Sequence, residues 1–316
     1  FGGYREGGAV EVCTSSRPAG TMPAPLVFGF WFFLGPASVL MESSLVSSEI
    51  IDRGFNLGKN NFFPEIPSIG YQGFSDYHDY HLHFIPTIHE VETGQSPNKL
   101  ALISKKIASQ IKVDHPYIDF IISPAFRFDY LYKEQLESYE KTKKDLNVLL
   151  ILPSSNTESS KLIDLLKENI DYPDFKNIKW YIKPHPNRDI NLIKKNISNW
   201  SDKLKIINTS FNLAINNSDL MIGNTSSTCL EALAKGKPVI ISCNNNFVDQ
   251  NPIPNEYPKK FWSICNTSKE FRLALKSLIL NKNYKKNENT NSFAKNVLAD
   301  FFEPVSEKSL NSFLNY

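Results

Sequence analysis

The chain has 316 residues, enough for two domains of roughly 100–200 residues each. Hydrophobic residues make up 41% and charged residues 22%, which excludes a wholly disordered, collagen-like or multi-span membrane chain. Lys and Arg total 35 against 33 Asp and Glu, a net charge of +2, so no nucleic-acid surface is expected and any anion site must be local. The four Cys (Cys13, Cys229, Cys243, Cys265) lie far apart without CxxC spacing, which argues against a disulfide framework or zinc knuckle and for a reducing compartment.

Residues 1–41 differ in composition from the rest. No Lys precedes Lys59 and no Asn precedes Asn56, whereas Gly, Ala, Pro and Ser abound. This stretch reads as an atypical extension. Within it, Ala19–Met41 carries no charge and is about long enough for one membrane span, with Arg5 and Arg17 before it and Glu42 after it. Pro23, Pro25 and Pro36 oppose a helix there. A signal-anchor, a buried strand pair and an unstructured extension all remain open.

Residues 42–136 form the first expected domain. Ile66–Tyr71 and Tyr117–Ser123 are short apolar runs, and Lys99–Ile111 reads as a helix by the spacing of its apolar residues. The charged residues 137–146 read as a linker. From residue 147 to 316, strands and helices alternate. Val148–Leu152, Ile178–Ile182, Leu204–Ile207, Leu220–Ile222 and Val239–Ser242 read as strands. Glu158–Asn169, Ile190–Trp200, Phe211–Asn217, Ser227–Lys235, Glu270–Leu280 and Ser292–Phe302 read as helices. Gly236 suits a left-handed helix end. The alternation implies a doubly wound parallel α/β sheet.

Ligands of such sheets bind at the carboxyl ends of strands, and two loops there carry chemistry. Lys183-Pro184-His185-Pro186-Asn187-Arg188-Asp189 offers an imidazole and two cations between stiffening prolines, a set suited to phosphate. Gly223-Asn224-Thr225-Ser226-Ser227-Thr228 joins a strand to a helix, where hydroxyls cap the helix and join its free N–H groups in binding phosphate. Both loops also have a plain structural reading, as a turn and a cap.

Together, KPHPNRD and SDLMIGNTSSTCLEALAKGKPVII resemble the donor-binding half of GT-B glycosyltransferases. The resemblance is to bacterial surface-polysaccharide transferases with paired His-Pro and Ser-Ser motifs, including polysialyl-, Kdo- and CDP-glycerol glycerophosphotransferases. It covers Asn147–Ser242 well, Glu42–Tyr132 less, and nothing before that. It implies an α/β, GT-B-like fold of two Rossmann-type domains, the N-terminal one short or incomplete: 42–136 on the acceptor side and 147–316 holding the donor. It implies metal-independent transfer of a sugar, or a polyol phosphate, from a CMP- or CDP-linked donor to a cell-surface glycan. It also implies a cytoplasmic location, with peripheral attachment at the inner face of the plasma membrane.

Carried over by residue, His185 with Ser226 and Ser227 holds the donor phosphate, and Glu231 holds the donor ribose; by charge and position alone, Lys183, Arg188, Asn224 and Thr225 join the phosphate set. Many GT-B enzymes have another acid eight positions earlier; here that position is Gly223. On the acceptor side, Ile69-Gly70-Tyr71-Gln72-Gly73 resembles a strand ending in G-Y-Q-H, with Gly73 where that His is usual. Glu92, followed by Gly94, partly matches the acidic pair that supplies a general base, with Glu90 and His78 as further candidates. Arg127 would bind an anionic acceptor or pair with Asp129. His78, His81, His83 and His89 cluster, but Cys is absent and carboxylates are few nearby, so no metal or other cofactor is expected. The rival expectations are a sugar-nucleotide epimerase or hydrolase of the same fold, and a non-catalytic nucleotide- or glycan-binding protein.

Overall fold

A computed structural model describes residues 26–29, 68–73, 85–133, 146–191, 193, 204–224, 226–242, 251–280 and 288–314. Two parallel sheets organise it. The first has four strands in the order β1-β2-β3-β4: Leu26–Gly29, Ser68–Gln72, Lys99–Leu102 and Phe120–Ile122. β1 comes from the uncharged stretch of the first 41 residues, and its Leu26 pairs with Ser68 of β2. The rest of that stretch, and residues 137–145 of the expected linker, lie outside the described residues. Among the described residues no helix is long and apolar enough to cross a membrane.

The expected helix over Lys99–Ile111 is corrected. Lys99–Leu102 is strand β3, held between β2 and β4, and the helix Lys105–Asp114 begins only after Ser104, whose hydroxyl accepts from the Ile107 N–H at 3.1 Å. Leu100, Ile103, Ile107 and Ile111 share a helical spacing by coincidence. Burial between two strands decides the local structure there, because it satisfies both edges of the backbone.

The second sheet has six strands in the order β10-β9-β8-β5-β6-β7, all parallel. β5 (Leu146–Ile151), β6 (Ile178–Lys183), β7 (Leu204–Ile206), β8 (Leu220–Gly223) and β9 (Val239–Ser242) match the expected strands closely. β10 (Trp262–Cys265) extends the sheet beyond them. Val148, Leu149 and Leu150 are at most 2% exposed, which explains why β5 reads as a continuous apolar run rather than an alternating one. The chain leaves β5 toward β6 and β7, then crosses back to β8 on the other side. The crevice where ligands bind in such sheets therefore opens at the carboxyl end of β5, between the loops that follow β6 and β8.

The helix Thr228–Ala234 after β8 ends at Gly236, with φ +67°. The Gly236 N–H bonds to the Leu233 C=O at 2.9 Å and the Lys237 N–H to the Ala232 C=O at 2.9 Å, a Schellman arrangement. A Cβ at Gly236 meets only Thr290 Cγ2 at 3.6 Å and Ala294 Cβ at 3.9 Å, so space is not the constraint. Gly236→Ala is expected to lower stability by about 1–2 kcal/mol from backbone conformation alone, read as a fall in denaturant midpoint with unchanged slope.

The C-terminal segment ties the sheets together. Helix Glu288–Phe301 packs on Thr228–Ala234 and on Lys105–Asp114. The Glu303 N–H bonds to the Ile103 C=O at 2.8 Å, and the Glu303 C=O accepts from the Ala125 N–H at 2.8 Å. The final helix, Glu307–Leu314, lies against β4 and puts Phe313 on Ile69 and Ala101 of the first sheet. One continuous apolar cluster includes Ile103, Phe128 and Leu131 from the first half and Leu149, Leu230 and Phe302 from the second.

Candidate functional site

The loop after β6 gathers an imidazole and two cations in a fixed turn. Pro184 is buried and holds the loop to the sheet. The His185 C=O accepts from the Arg188 N–H at 2.9 Å, and His185 Nδ1 accepts from the Asn187 N–H at 3.3 Å. A neutral imidazole that accepts at Nδ1 carries its proton on Nε2, so Nε2 is the donor available to a ligand. Burial, then Arg188, then Lys183 push the His185 pKa down from 6.5, which keeps the ring neutral at neutral pH. Burial also lowers the Lys183 ammonium from its usual value. Arg188 Nη2 donates to the Ser155 C=O at 3.4 Å, while its buried Nε makes no hydrogen bond within the described structure. Ser155 caps helix Asn156–Lys167, the helix that follows β5, so the middle strand contributes a third wall.

The loop after β8 faces this one across β5. At about 4.8 Å per strand, the two loops lie roughly 10 Å apart. Ser226 accepts through its C=O from the Cys229 N–H at 2.9 Å, and its hydroxyl accepts from the Thr228 Oγ1 at 3.0 Å and the Thr228 N–H at 3.4 Å. Ser227 is the helix N-cap residue, yet its hydroxyl makes no capping bond; Ser226 performs that task instead. Asn224 is partly exposed at the end of the strand, and Thr225 lies outside the described residues.

Glu231 is not the solvent-facing residue that its side chain alone suggests. It is 5% exposed, and Oε2 accepts the hydroxyl of Tyr130 from the first half. Lys235, one turn further and 4% exposed, holds its ammonium 5.6 Å from the centre of the Tyr130 ring. Tyr130 and Lys235 are site neighbours that sequence reasoning missed. Tyr130 and Glu231 are 101 positions apart, so no local pattern links them.

On the acceptor side the residues separate. Gln72 ends β2, and its Oε1 is buried without a hydrogen bond in the described structure. Gly73 is sterically required: a Cβ there meets Tyr71 Cε1 at 2.8 Å. That ring is fixed by a hydroxyl bond to the Pro124 C=O at 3.1 Å and by packing on Phe126 and Phe313. The same burial raises the Tyr71 pKa to about 12. A side chain at this position would have to displace the Tyr71 ring. Glu90 accepts from the Thr87 N–H at 2.7 Å and Oγ1 at 2.8 Å in a capping box, so its carboxylate serves the start of helix Ile88–Glu92. Glu92 is exposed at the end of that helix. Arg127 is exposed with its guanidinium 5.5 Å from the Phe128 ring, while Asp129 pairs with Lys133. His78, His81 and His83 lie outside the described residues. Among the described residues no three His, Cys, Asp or Glu gather to hold a metal ion.

No family model matches the chain, and no curated protein matches it. Solved structures do. MnaA of S. aureus, solved with UDP, matches at TM-score 0.55 and 13% identity over 89% of this chain and 80% of that one. A Listeria monocytogenes protein assigned as a UDP-N-acetylglucosamine 2-epimerase matches at TM-score 0.50 and 13% identity, over 76% of this chain and 67% of that one. The chain has the same GT-B fold as these structures.

Proposed function

We propose that this chain binds a nucleotide-activated sugar between its two sheets and transfers the sugar, or a polyol phosphate, onto a cell-surface glycan without a metal. The observation that carries the reading is His185, desolvated and set between Lys183 and Arg188, across β5 from Asn224, Ser226 and Ser227. The leaving group is a nucleotide whose phosphate gains charge as the bond to the sugar breaks. Fixed donors and cations aimed at that charge lower the barrier because they need no reorganisation. His185 Nε2–H, Lys183, Arg188 and Ser226 form that set, and Glu231 receives the ribose. Glu92 is the proposed base toward the acceptor hydroxyl, with Gln72 and Arg127 on the acceptor wall. In this proposal the reaction runs on the cytoplasmic side of the membrane. The resemblance to surface-polysaccharide transferases favours a cytidine donor; the likeness to MnaA, solved with UDP, favours uridine.

The likeness to the Listeria monocytogenes protein favours a second reading, epimerisation of a nucleotide sugar. The deciding experiment has two stages. Melting shifts with CMP, CDP, UDP and GDP, for the wild type beside His185→Ala and Ser226→Ala, identify the nucleotide through preferential binding to the folded state. The matching nucleotide sugar is then incubated with and without glycan acceptor. Transfer needs the acceptor, whereas an isomerised sugar nucleotide forms without it. A wild type unmoved by every nucleotide ends both readings.

The His185 environment also sets a pH dependence. The ring is neutral in the free protein near neutral pH, and a bound phosphate favours its protonated form, so binding there takes up a proton. Affinity for a nucleotide sugar, whose diphosphate diester does not titrate here, is expected to rise as pH falls from about 7.5 toward 5.5, by at most about tenfold per unit for one proton. His185→Gln should flatten that slope. Titration calorimetry across this range checks it, and an equal slope in the variant would assign the proton elsewhere.

A further inference from the structure

The phenol of Tyr130 is held at both ends by one helix of the other half. Its hydroxyl donates to Glu231 Oε2, and its ring lies 5.6 Å from the ammonium of Lys235, four positions later. Positions four apart share a helix face, so the two charges form a slot one turn long, and Tyr130 fills it. Both charged residues are buried, at 5% and 4% exposure. A buried carboxylate keeps a fixed orientation only where donors hold it, and here a donor from the first half does so.

From this arrangement, and resting on the reading of Glu231 as the ribose acceptor, we infer that Tyr130 is a positioning residue that gives the protein its preference for ribonucleotides. A ribose diol donates two hydroxyl protons, and it is bound well only by a carboxylate whose plane is already set. The carboxylate has about four acceptor sites, so the phenol and a diol hydroxyl can be accepted together. Tyr130 stands just before the segment that joins the halves, on helix Tyr130–Lys133, with Phe128 and Leu131 anchored in the shared core. Recognition of the sugar of the nucleotide in the second half therefore depends on a hydroxyl delivered by the first. This role is separate from phosphate binding, which needs neither Tyr130 nor Glu231.

The test compares UDP and CDP with their 2′-deoxy forms by calorimetry, on the full chain and on Tyr130→Phe, Glu231→Gln and the double variant. Tyr130→Phe keeps the ring beside Lys235, and its melting temperature reports whether the fold is kept. The wild type is expected to bind the ribonucleotide about tenfold more tightly than the deoxy form, the worth of one hydrogen bond to a charged group. Tyr130→Phe should lose most of that preference by weakening only the ribonucleotide. Glu231→Gln should lose it too, and the double variant should lose no more than either single one, as coupled residues do. A merely structural tyrosine would weaken both nucleotide forms together, or neither, and would overturn the inference. Tighter ribonucleotide binding by Tyr130→Phe would show that the phenol blocks the site, which also overturns it. A wild type that binds nucleotides with no ribose preference ends this inference while leaving the phosphate site standing. A wild type that binds no nucleotide ends both.

Discussion

Replacing His185 by alanine is expected to weaken nucleotide binding about tenfold to hundredfold. The variant removes a hydrogen bond to a charged phosphate, worth about 1.5–3 kcal/mol, from a site where Lys183 and Arg188 remain. Calorimetry with the nucleotide identified by melting shift reads the effect directly. The same substitution has an opposite effect on the empty protein in acid. The His185 pKa is pushed below 6.5 in the folded chain by burial and the two flanking cations. At pH above 6.5 the folded and unfolded rings are both neutral, and the fold carries no penalty. As pH falls below 6.5 the unfolded ring takes up a proton first, and stability declines until the folded ring titrates too. His185→Ala should therefore lose less stability than the wild type between pH 6.5 and 5. A variant that binds nucleotide normally would remove the His-Pro loop from the site.

The largest loss of stability is expected at Phe302, not at the site. Phe302 is fully buried, its ring lies 4.8 Å from that of Phe128, and its C=O accepts the Tyr132 hydroxyl. Truncation to alanine leaves a cavity where the halves share one core, and should cost about 3–5 kcal/mol. Because Phe128 and Tyr132 belong to the first half, the variant should also let the halves separate more readily. Denaturant unfolding would then lose its single transition. A single cooperative transition shifted by less than about 1 kcal/mol would show that the halves do not depend on this contact.

The second sheet was readable from the sequence because each of its central strands is buried on both faces. Uninterrupted runs such as Val148-Leu149-Leu150 separate cleanly from amphipathic helices. The first sheet was harder. β3 is four residues long and runs through two residues into a helix, so its apolar positions merge with the helical period. β10, at the sheet edge, is four residues long with half of them only partly buried, and the closing helix Glu307–Leu314 is only eight residues long. The candidate loops after β6 and β8 stood out in the sequence because prolines, hydroxyls and cations crowd a few adjacent positions. The Tyr130–Glu231 contact did not, since only the fold brings those two residues together. Gly73 shows the opposite case. The resemblance leads one to expect a His there, and the Tyr71 ring leaves no room for a side chain.

The position of the final helix has a consequence for synthesis. Glu307–Leu314 covers the face of the first sheet that carries Ile69, Ala101 and Ile121. During translation those strands emerge some two hundred residues before their cover, and at about 5–20 residues per second they wait many seconds with that apolar face open. The nascent chain is therefore most prone to aggregate, and most dependent on chaperones, during this delay. A ribosome-stalled chain ending before Glu307 should be cleaved by protease in its first half while its second half resists.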